Sequence, residues 1–247
     1  MWKRTPGAAA PSWNVVENGD GPWSLGDRDA PISRQHPWIS GLPVYAPEQW
    51  APTYHYPLIC YLHDDDRSER DLWQWFPAIS DQNFLGLGVR APFPSRLALP
   101  GKFRWRGQRP DATHTVLCEA IEEVQHDWNI HSDRIVLFGE GNGAVVALQQ
   151  FMLNQFRSDQ HEIQFSAAIC RHLPEWWARA LPPVAEFSAG RILLMEPVMN
   201  DEEGEIAAAV DGLREAGISV TVTHERNSSP AQAINHWIMS GIASAVY

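Results

Sequence analysis

The chain has 247 residues, of which 44% are hydrophobic and 20% are charged, a composition typical of a globular domain with a sizeable core rather than of a disordered chain. Nineteen Lys and Arg against thirty Asp and Glu give a net charge of −11. This balance argues against nucleic acid as a partner, because phosphate backbones bind clustered basic side chains. The longest apolar stretches, such as 191–195, have the length of strands, whereas a membrane-spanning helix needs about 20 apolar residues.

The N-terminus and the cysteines indicate the cellular compartment in which the protein is expected. The basic residues that follow Met1 precede no apolar stretch, so no secretory signal is predicted. Cys60, Cys118 and Cys170 are odd in number and widely spaced, with no CxxC pair. This pattern indicates neither a disulfide framework nor a zinc site. We therefore expect a cytoplasmic protein that holds no metal and no other cofactor.

The order of apolar patterns predicts the organisation of the chain. Residues 1–41 are rich in Pro and Trp without periodicity, so they are predicted to form an irregular N-terminal segment, and residues 42–247 are predicted to form one domain. In that domain strand-like runs alternate with helical patterns, which is typical of an α/β fold with a mainly parallel sheet between two layers of helices. The predicted strands are 57–62, 84–89, 134–138, 166–170, 191–195 and 218–223. A first helix is predicted to begin after Ser68. The other predicted helices cover 113–128, 144–156, 202–216 and 231–246.

The strongest chemical signal is a glycine-rich turn between a predicted strand and a predicted helix, formed by Gly139, Glu140, Gly141, Asn142 and Gly143. Its G-x-G-x-G spacing matches neither the dinucleotide fingerprint nor a P-loop, so phosphate binding is poorly supported. The better comparison is the nucleophile elbow G-x-S-x-G, in which small flanking residues permit a sharp turn that lifts a Ser above the sheet. Gly141 stands at the position of that Ser.

Three further stretches share the order of a known family. They are YPLICYLH at 56–63 with ERDL at 69–72, WNIHSDRI at 128–135, and LFG at 137–139. Together with the glycine-rich turn, they resemble the phospholipase/carboxylesterase and esterase-D-like branch of the α/β-hydrolases, over roughly residues 42 to 240. The resemblance implies a three-layer α/β/α sandwich with a mainly parallel central sheet, and an ancestry in ester hydrolysis.

The resemblance also assigns positions to the catalytic residues, and this chain has different residues there. The nucleophile position falls on Gly141, which has no side chain to attack a carbonyl carbon. The acid position, in the run 196–201, falls on Asn200, and the base region falls on Ser229 and Pro230. The chain therefore lacks each member of the family's triad at its expected position.

The loop that would form the oxyanion hole is altered as well. The family keeps glycines after its His, whereas His63 is followed here by Asp64, Asp65 and Asp66. Carboxylates oppose the negative charge that an oxyanion hole must stabilise. The joint loss of four catalytic parts predicts a catalytically inactive homologue that acts as a binding or interaction protein. Its partner is expected to be a protein or a small neutral or cationic ligand, and a homodimer is one possible assembly.

The runner-up hypothesis is an active carboxylic ester hydrolase with a non-standard nucleophile. Cys170, with His172 close behind it, and Ser228 are the candidates for that nucleophile. Glu140 and Glu196 flank the same region and are candidates for a pair of acid and base carboxylates.

A third hypothesis is a metal or phosphate site at the acidic loop or at the glycine-rich turn. Three adjacent carboxylates cannot all face one ion, so Asp64, Asp65 and Asp66 are instead expected to form a solvated loop. His63 is expected to make a structural hydrogen bond.

Overall fold

The computed structural model describes residues 42–47, 49–97, 99–105, 110–156, 163–181, 190–195, 204–223 and 229–244. The predicted N-terminal segment 1–41 lies outside the described residues. No helix among those residues combines the length and the apolar character needed to cross a membrane.

Nine strands are present in the described part of the chain. They are β1 (Val44–Tyr45), β2 (Tyr56–Leu62), β3 (Leu85–Val89), β4 (Phe93–Pro94), β5 (Phe103–Arg104), β6 (Ile130–Glu140), β7 (Phe165–Arg171), β8 (Arg191–Met195) and β9 (Ser219–Thr223). Seven of them form one sheet in the order β1-β3-β2-β6-β7-β8-β9. Every pair in this sheet is parallel except β1 with β3. The strands β4 and β5 form a separate antiparallel hairpin.

Helices cover both faces of the sheet. They are α1 (Leu72–Ile79), α2 (Pro110–Asp127), α3 (Asn142–Phe156), α4 (Glu205–Glu215) and α5 (Pro230–Ser244). Successive side chains of a strand point to opposite faces, and β2 shows the result. Cys60 joins a core with α2, α3 and α4, whereas Ile59 and Tyr61 join a second core with α1 and α5. The predicted α/β/α sandwich with a mainly parallel sheet is confirmed.

The predicted elements are all found, with different ends in several cases. The strand predicted at 134–138 extends over 130–140 as β6, because Ile130 also pairs with Tyr56 across a register shift. The residues between the predicted strand 84–89 and the predicted helix 113–128, which were assigned to no element, contain the β4–β5 hairpin. Pro110 begins α2, where the missing N–H of proline costs no helical hydrogen bond. The edge strand β1 was not predicted, because two residues are too few to show a period.

The helical segment after Ser68 begins with a short 3₁₀ turn. The hydroxyl of Ser68 accepts a hydrogen bond from the backbone N–H of Arg70 at 3.2 Å, and the 3₁₀ residues Glu69–Asp71 then lead into α1. The helical segment therefore begins directly after Ser68, as predicted. This cap fixes the path by which the chain leaves β2, passes through the acidic loop and enters α1.

Candidate functional site

The glycine-rich turn lies at the carboxyl edge of the sheet, between β6 and α3. Strand β6 ends at Glu140 and α3 begins at Asn142, so Gly141 alone joins them, with a φ of +54°. The turn is also tightly packed, because a Cβ on Gly139 would lie 2.2 Å from the carbonyl oxygen of Gly143. A Cβ on Gly143 would likewise lie 2.2 Å from the carbonyl oxygen of Leu62, at the end of β2. A sharp strand-to-helix turn with small flanking residues is typical of a nucleophile elbow.

The space above Gly141 is filled by the carboxylate of Asp64. A Cβ placed on Gly141 would lie 2.2 Å from Oδ1 and 2.3 Å from Oδ2 of Asp64. These distances are far below van der Waals contact. The side chain of a nucleophile at position 141 would begin at this Cβ. The carboxylate of Asp64 therefore occupies the space that such a side chain would need.

The same carboxylate binds two backbone N–H groups. Asp64 Oδ1 accepts hydrogen bonds from Asn142 N and from Asp65 N, each at 2.8 Å. In α/β-hydrolases the oxyanion hole consists of the N–H of the residue after the nucleophile and an N–H from a neighbouring strand-to-helix loop. Asn142 follows the elbow position, and Asp65 lies in the loop between β2 and α1. The two N–H groups at the places that correspond to this pair both bind the carboxylate of Asp64 at the N-terminus of α3, where negative charge is favourable.

The other two carboxylates of the acidic loop bind different groups. Asp65 Oδ1 accepts from Trp105 N at 2.7 Å, and Asp66 Oδ1 accepts from the hydroxyl of Ser95. All three aspartates are only partly exposed, and burial raises the pKa of Asp65. The expectation of a solvated loop is therefore wrong, because these carboxylates find donors on distant segments. Among the described residues no group of three or more His, Cys, Asp or Glu is arranged to hold a metal ion.

His63 is buried at the end of β2, with both ring nitrogens in hydrogen-bond contact with backbone. Nδ1 lies 2.6 Å from the carbonyl oxygen of Asp64 and donates to it, and Nε2 accepts from Ala91 N at 3.2 Å. The indole N–H of Trp105 donates to the carbonyl of His63 at 2.6 Å. Burial lowers the pKa of His63. No nitrogen is left for proton transfer to a substrate.

We expect His63 to remain neutral, with its proton on Nδ1, at a pH where an exposed histidine is largely charged. Because its pKa in the folded chain is below the ordinary value of about 6.5, the unfolded chain binds more protons there, and folding stability falls as the pH drops below that value. Nitrogen-15 NMR of the imidazole rings would detect the neutral form at pH 6. A ring at position 63 that titrates near pH 6.5 would contradict this.

Glu140 follows Gly139 at the end of β6 and is fixed by three side chains. Its Oε2 accepts from the hydroxyl of Tyr61 at 2.6 Å and from Trp75 Nε1 at 2.8 Å, and its Oε1 accepts from Arg171 Nη1 at 2.9 Å. Burial, with the charge and hydrogen bond of Glu140, raises the pKa of Tyr61. Both carboxylate oxygens of Glu140 are thus engaged in hydrogen bonds within the protein. This arrangement argues against Glu140 as an acid or base, and Glu196 lies outside the described residues.

Cys170 lies inside the first core rather than at the site. Its side chain is completely buried, and its thiol donates to the carbonyl of Ala144 at 3.5 Å. Burial raises the pKa of this thiol, so the thiolate required for attack is suppressed. His172 is exposed, two residues further on. These facts argue against Cys170 as a nucleophile.

We expect iodoacetamide to leave Cys60 and Cys170 unmodified in the folded protein, because both are buried and burial raises the pKa of both thiols. Cys118 is half-buried and serves as the internal comparison. Peptide mass spectrometry before and after unfolding in guanidinium would measure the modification. Equal labelling of Cys170 in the two states would show that the thiol is accessible.

The predicted acid and base regions are only partly described. Asn200 and Ser228 lie outside the described residues. The hydroxyl of Ser229 accepts from Gln232 N at 3.2 Å, and Pro230 is the first residue of α5. Ser229 and Pro230 therefore begin a helix, as a cap residue and a first-turn proline commonly do.

Three residues that hold the site together were not predicted from the sequence. Ser95, between β4 and β5, binds Asp66 through its hydroxyl, and Trp105, directly after β5, binds Asp65 through its backbone N–H. The guanidinium of Arg171 at the end of β7 binds Glu140. Each lies about 30 or more positions from its partner, so no local pattern could have revealed them.

Several solved structures that are similar to this chain are esterases. The carboxylesterase of Mesorhizobium loti has a TM-score of 0.54 at 16% sequence identity, covering 74% of this chain and 88% of that chain. The Bacillus cereus carboxylesterase has a TM-score of 0.54 at 17% identity, covering 81% and 95%. Thermogutta terrifontis esterase 2, phosphorylated by paraoxon, has a TM-score of 0.58 at 12% identity, covering 83% and 88%. No protein-family model and no curated protein matches the chain.

These similarities establish the fold. The chain has the α/β-hydrolase fold, and its structural neighbours include carboxylesterases and other esterases. At these identities the likeness carries no activity to this chain.

Proposed function

We propose that this α/β-hydrolase-fold protein does not hydrolyse esters and acts instead as a binding or interaction protein. The observation that carries the proposal is the carboxylate of Asp64, which fills the space above Gly141 and accepts both N–H groups of the oxyanion-hole pair. Its three cysteines are free thiols, as suits a protein of the reducing cytoplasm.

Ester hydrolysis would need two things at this site. A side chain at the elbow must attack the carbonyl carbon, and Gly141 supplies none. The developing oxyanion must then receive hydrogen bonds from preorganised donors. Here the donors are already bound to a carboxylate, which would also repel a second negative charge. The two obstacles are independent, so a nucleophile brought from elsewhere would still lack an oxyanion hole.

The occupied donor pair also restricts the ligand. An anionic ligand would have to displace Asp64 against the charges of Asp65 and Asp66. A neutral or cationic ligand, or a protein surface, has no such obstacle. The binding partner is therefore expected not to be a small anion in this cleft.

The test is hydrolysis of p-nitrophenyl acetate and butyrate by the purified protein, with fluorophosphonate labelling in parallel. The proposal predicts no turnover above buffer and no labelled serine. An active esterase of the same fold serves as the positive control. Turnover together with a labelled residue would overturn the proposal in favour of an ester hydrolase with a non-standard nucleophile, and the labelled peptide would identify it.

A further inference from the structure

The last strand of the sheet, β9, is an edge strand whose sequence contains nothing that blocks further pairing. It pairs with β8 on one side, and no strand of the described chain pairs with its other side. Its five residues read SVTVT, without a charge or a proline, and Val and Thr favour extended backbone. Soluble proteins commonly protect an edge by short length, charged side chains or proline. The opposite edge strand, β1, has only two residues.

The backbone groups that face away from β8 belong to Val220 and Val222. Ser219 N donates to Gly190 O at 2.9 Å, and along a parallel strand every second residue bonds to the same neighbour. The odd-numbered residues of β9 are therefore bonded to β8, and the N–H and C=O groups of the two valines point outward. In agreement with this, the guanidinium of Arg214 donates to the carbonyl of Val220 at 3.4 Å from outside the ladder. That carbonyl oxygen has a second lone pair for another donor.

An apolar cavity lies beside this edge, on the face of the sheet that α4 covers. Exposed residues of α4 form part of its lining, so the cavity reaches the surface. It has a volume of about 210 Å³, and its lining includes Leu194, Ile206, Val210, Asp211, Arg214 and Val222. A cavity of this size can admit apolar side chains. The edge of β9 thus combines outward backbone groups with an apolar recess.

We propose that β9 pairs antiparallel with β9 of a second copy of this chain, about a two-fold axis at Thr221, so that two seven-stranded sheets join into one. In this register Val220 lies opposite Val222 of the second copy, and the two residues exchange both N–H···O=C bonds. All outward N–H and C=O groups of the two valines are then paired. The interface is isologous, as is usual for two-fold dimers.

The side chains of the strand match in the same register. Val220 and Val222 pack on the first core, on the face that α4 covers. A rotation about an axis perpendicular to the sheet keeps the valines of the second copy on this face, at the mouth of the cavity. Thr221 lies on the other face, where its hydroxyl accepts from Trp237 Nε1 at 3.2 Å. It meets Thr221 of the second copy in a closely spaced pair.

The charges beside the strand are complementary to themselves under this rotation. Arg214 reaches the carbonyl of Val220, and Asp211, 3.3 Å from Arg214, lies about 4.5 Å further toward the carboxyl edge along α4. The rotation about Thr221 takes Arg214 of the second copy to the level of Val222, close to Asp211. An arbitrary extended peptide would satisfy the backbone groups alone, whereas a second copy also satisfies the valines and these two charges.

The longest stretch outside the described residues, 1–41, joins the domain before β1, at the opposite edge of the sheet from β9. A second copy, in contrast, brings a strand of matching register and chemistry to β9. The inference goes beyond the proposed function and is independent of it, because it concerns an edge of the sheet and not the site at Gly141.

The first measurement is sedimentation velocity of the purified protein, with a reducing agent, over a wide range of concentration. The net charge of −11 on each copy opposes association. The buffer therefore contains salt at about 0.15 M, where charges beyond about 8 Å are screened. We expect a monomer that converts to a dimer as the concentration rises. A monomer at every concentration overturns the inference, as it would if another segment of the chain covered this edge.

A cysteine cross-link tests the position of the axis. Thr221→Cys, incubated with oxidised glutathione, is expected to give a disulfide-linked dimer on a non-reducing gel, because the two substituted positions face each other. Ser219→Cys is the matched control, since Ser219 is also exposed and lies on the same face of β9. The rotation places its two copies about 14 Å apart, beyond the roughly 7 Å between Cα atoms that a disulfide can bridge. Wild type controls for Cys118. Equal cross-linking of the two variants, or none of Thr221→Cys, contradicts the register.

A charge exchange at the axis tests the same register without oxidation. Thr221→Lys and Thr221→Glu should each weaken dimerisation about tenfold or more, because two like charges then face each other. An equimolar mixture of the two variants should recover the dimer. Gln74→Lys and Gln74→Glu are the matched controls, because Gln74 is exposed on α1, which packs beside β1 and β3 at the far edge.

Circular dichroism should show that each of these variants is folded. The inference is overturned if the Lys and Glu variants at position 221 dimerise as well as wild type, or if their mixture dimerises no better than either variant alone. Ester hydrolysis and fluorophosphonate labelling are separate readouts, so failure of this inference and failure of the proposed function are distinguishable.

Discussion

Replacing Asp64 with alanine is expected to lower the free energy of unfolding by about 1.5–3 kcal/mol. The substitution removes the carboxylate that accepts the N–H groups of Asn142 and Asp65, and hydrogen bonds to a charged acceptor are among the stronger ones. It also removes a negative charge from the N-terminus of α3. Chemical denaturation followed by circular dichroism would measure the loss.

The control for this substitution is Asp81→Ala. Asp81 is an exposed aspartate outside the sheet and the helices. Its replacement should change the free energy of unfolding by no more than about 0.5 kcal/mol. If Asp64→Ala and Asp81→Ala are equally stable, the Asp64 carboxylate does not bind the donor pair as described.

The substitution Gly141→Ser, which introduces the residue type found in a nucleophile elbow, is expected to destabilise the protein by about 3 kcal/mol or more. The φ of +54° is unfavourable for a residue with a Cβ, and that Cβ would overlap the carboxylate of Asp64. On the proposed function the variant is also expected to show no ester hydrolysis, because the acid and base positions of the family would still hold Asn200, Ser229 and Pro230. Denaturation and a p-nitrophenyl acetate assay measure the two effects.

Gly212→Ser is the matched control for Gly141→Ser. Gly212 lies within α4, and a Cβ there would meet open space, so the substitution should leave stability unchanged or raise it by about 0.5 kcal/mol. Combining Gly141→Ser with Asp64→Gly removes the overlap, so the double variant should lose less than the sum of the single losses. A Gly141→Ser variant as stable as wild type would contradict the described packing.

The fold was predictable because its strands and helices are marked by local patterns. The run 57–62 is continuously apolar since β2 is buried on both faces, and the glycine spacing at 139–143 reflects close approach of the turn to β2. Strand β1 was not predictable in this way. Its two residues are defined only by their pairing with β3.

The destination of the acidic side chains could not be predicted. Asp64 and Asn142 are 78 positions apart, and Asp65 and Trp105 are 40 positions apart. Backbone N–H groups carry no residue identity, so the sequence cannot show which carboxylate will bind them. For this reason the absence of a side chain at the elbow position could be read from Gly141 in the sequence, whereas the binding of the Asp64 carboxylate to the N–H groups of Asn142 and Asp65 was found only in the structure.

The most direct test of the central claim is rescue of Asp64→Ala by acetate. If the carboxylate of Asp64 occupies the N–H pair of Asn142 and Asp65, its removal leaves a site that a free carboxylate can fill. Acetate at ionic strength matched with chloride should then raise the melting temperature of Asp64→Ala and leave that of wild type unchanged, since ligand binding to the native state stabilises it. An equal effect of acetate on both proteins, or none on the variant, would contradict the claim.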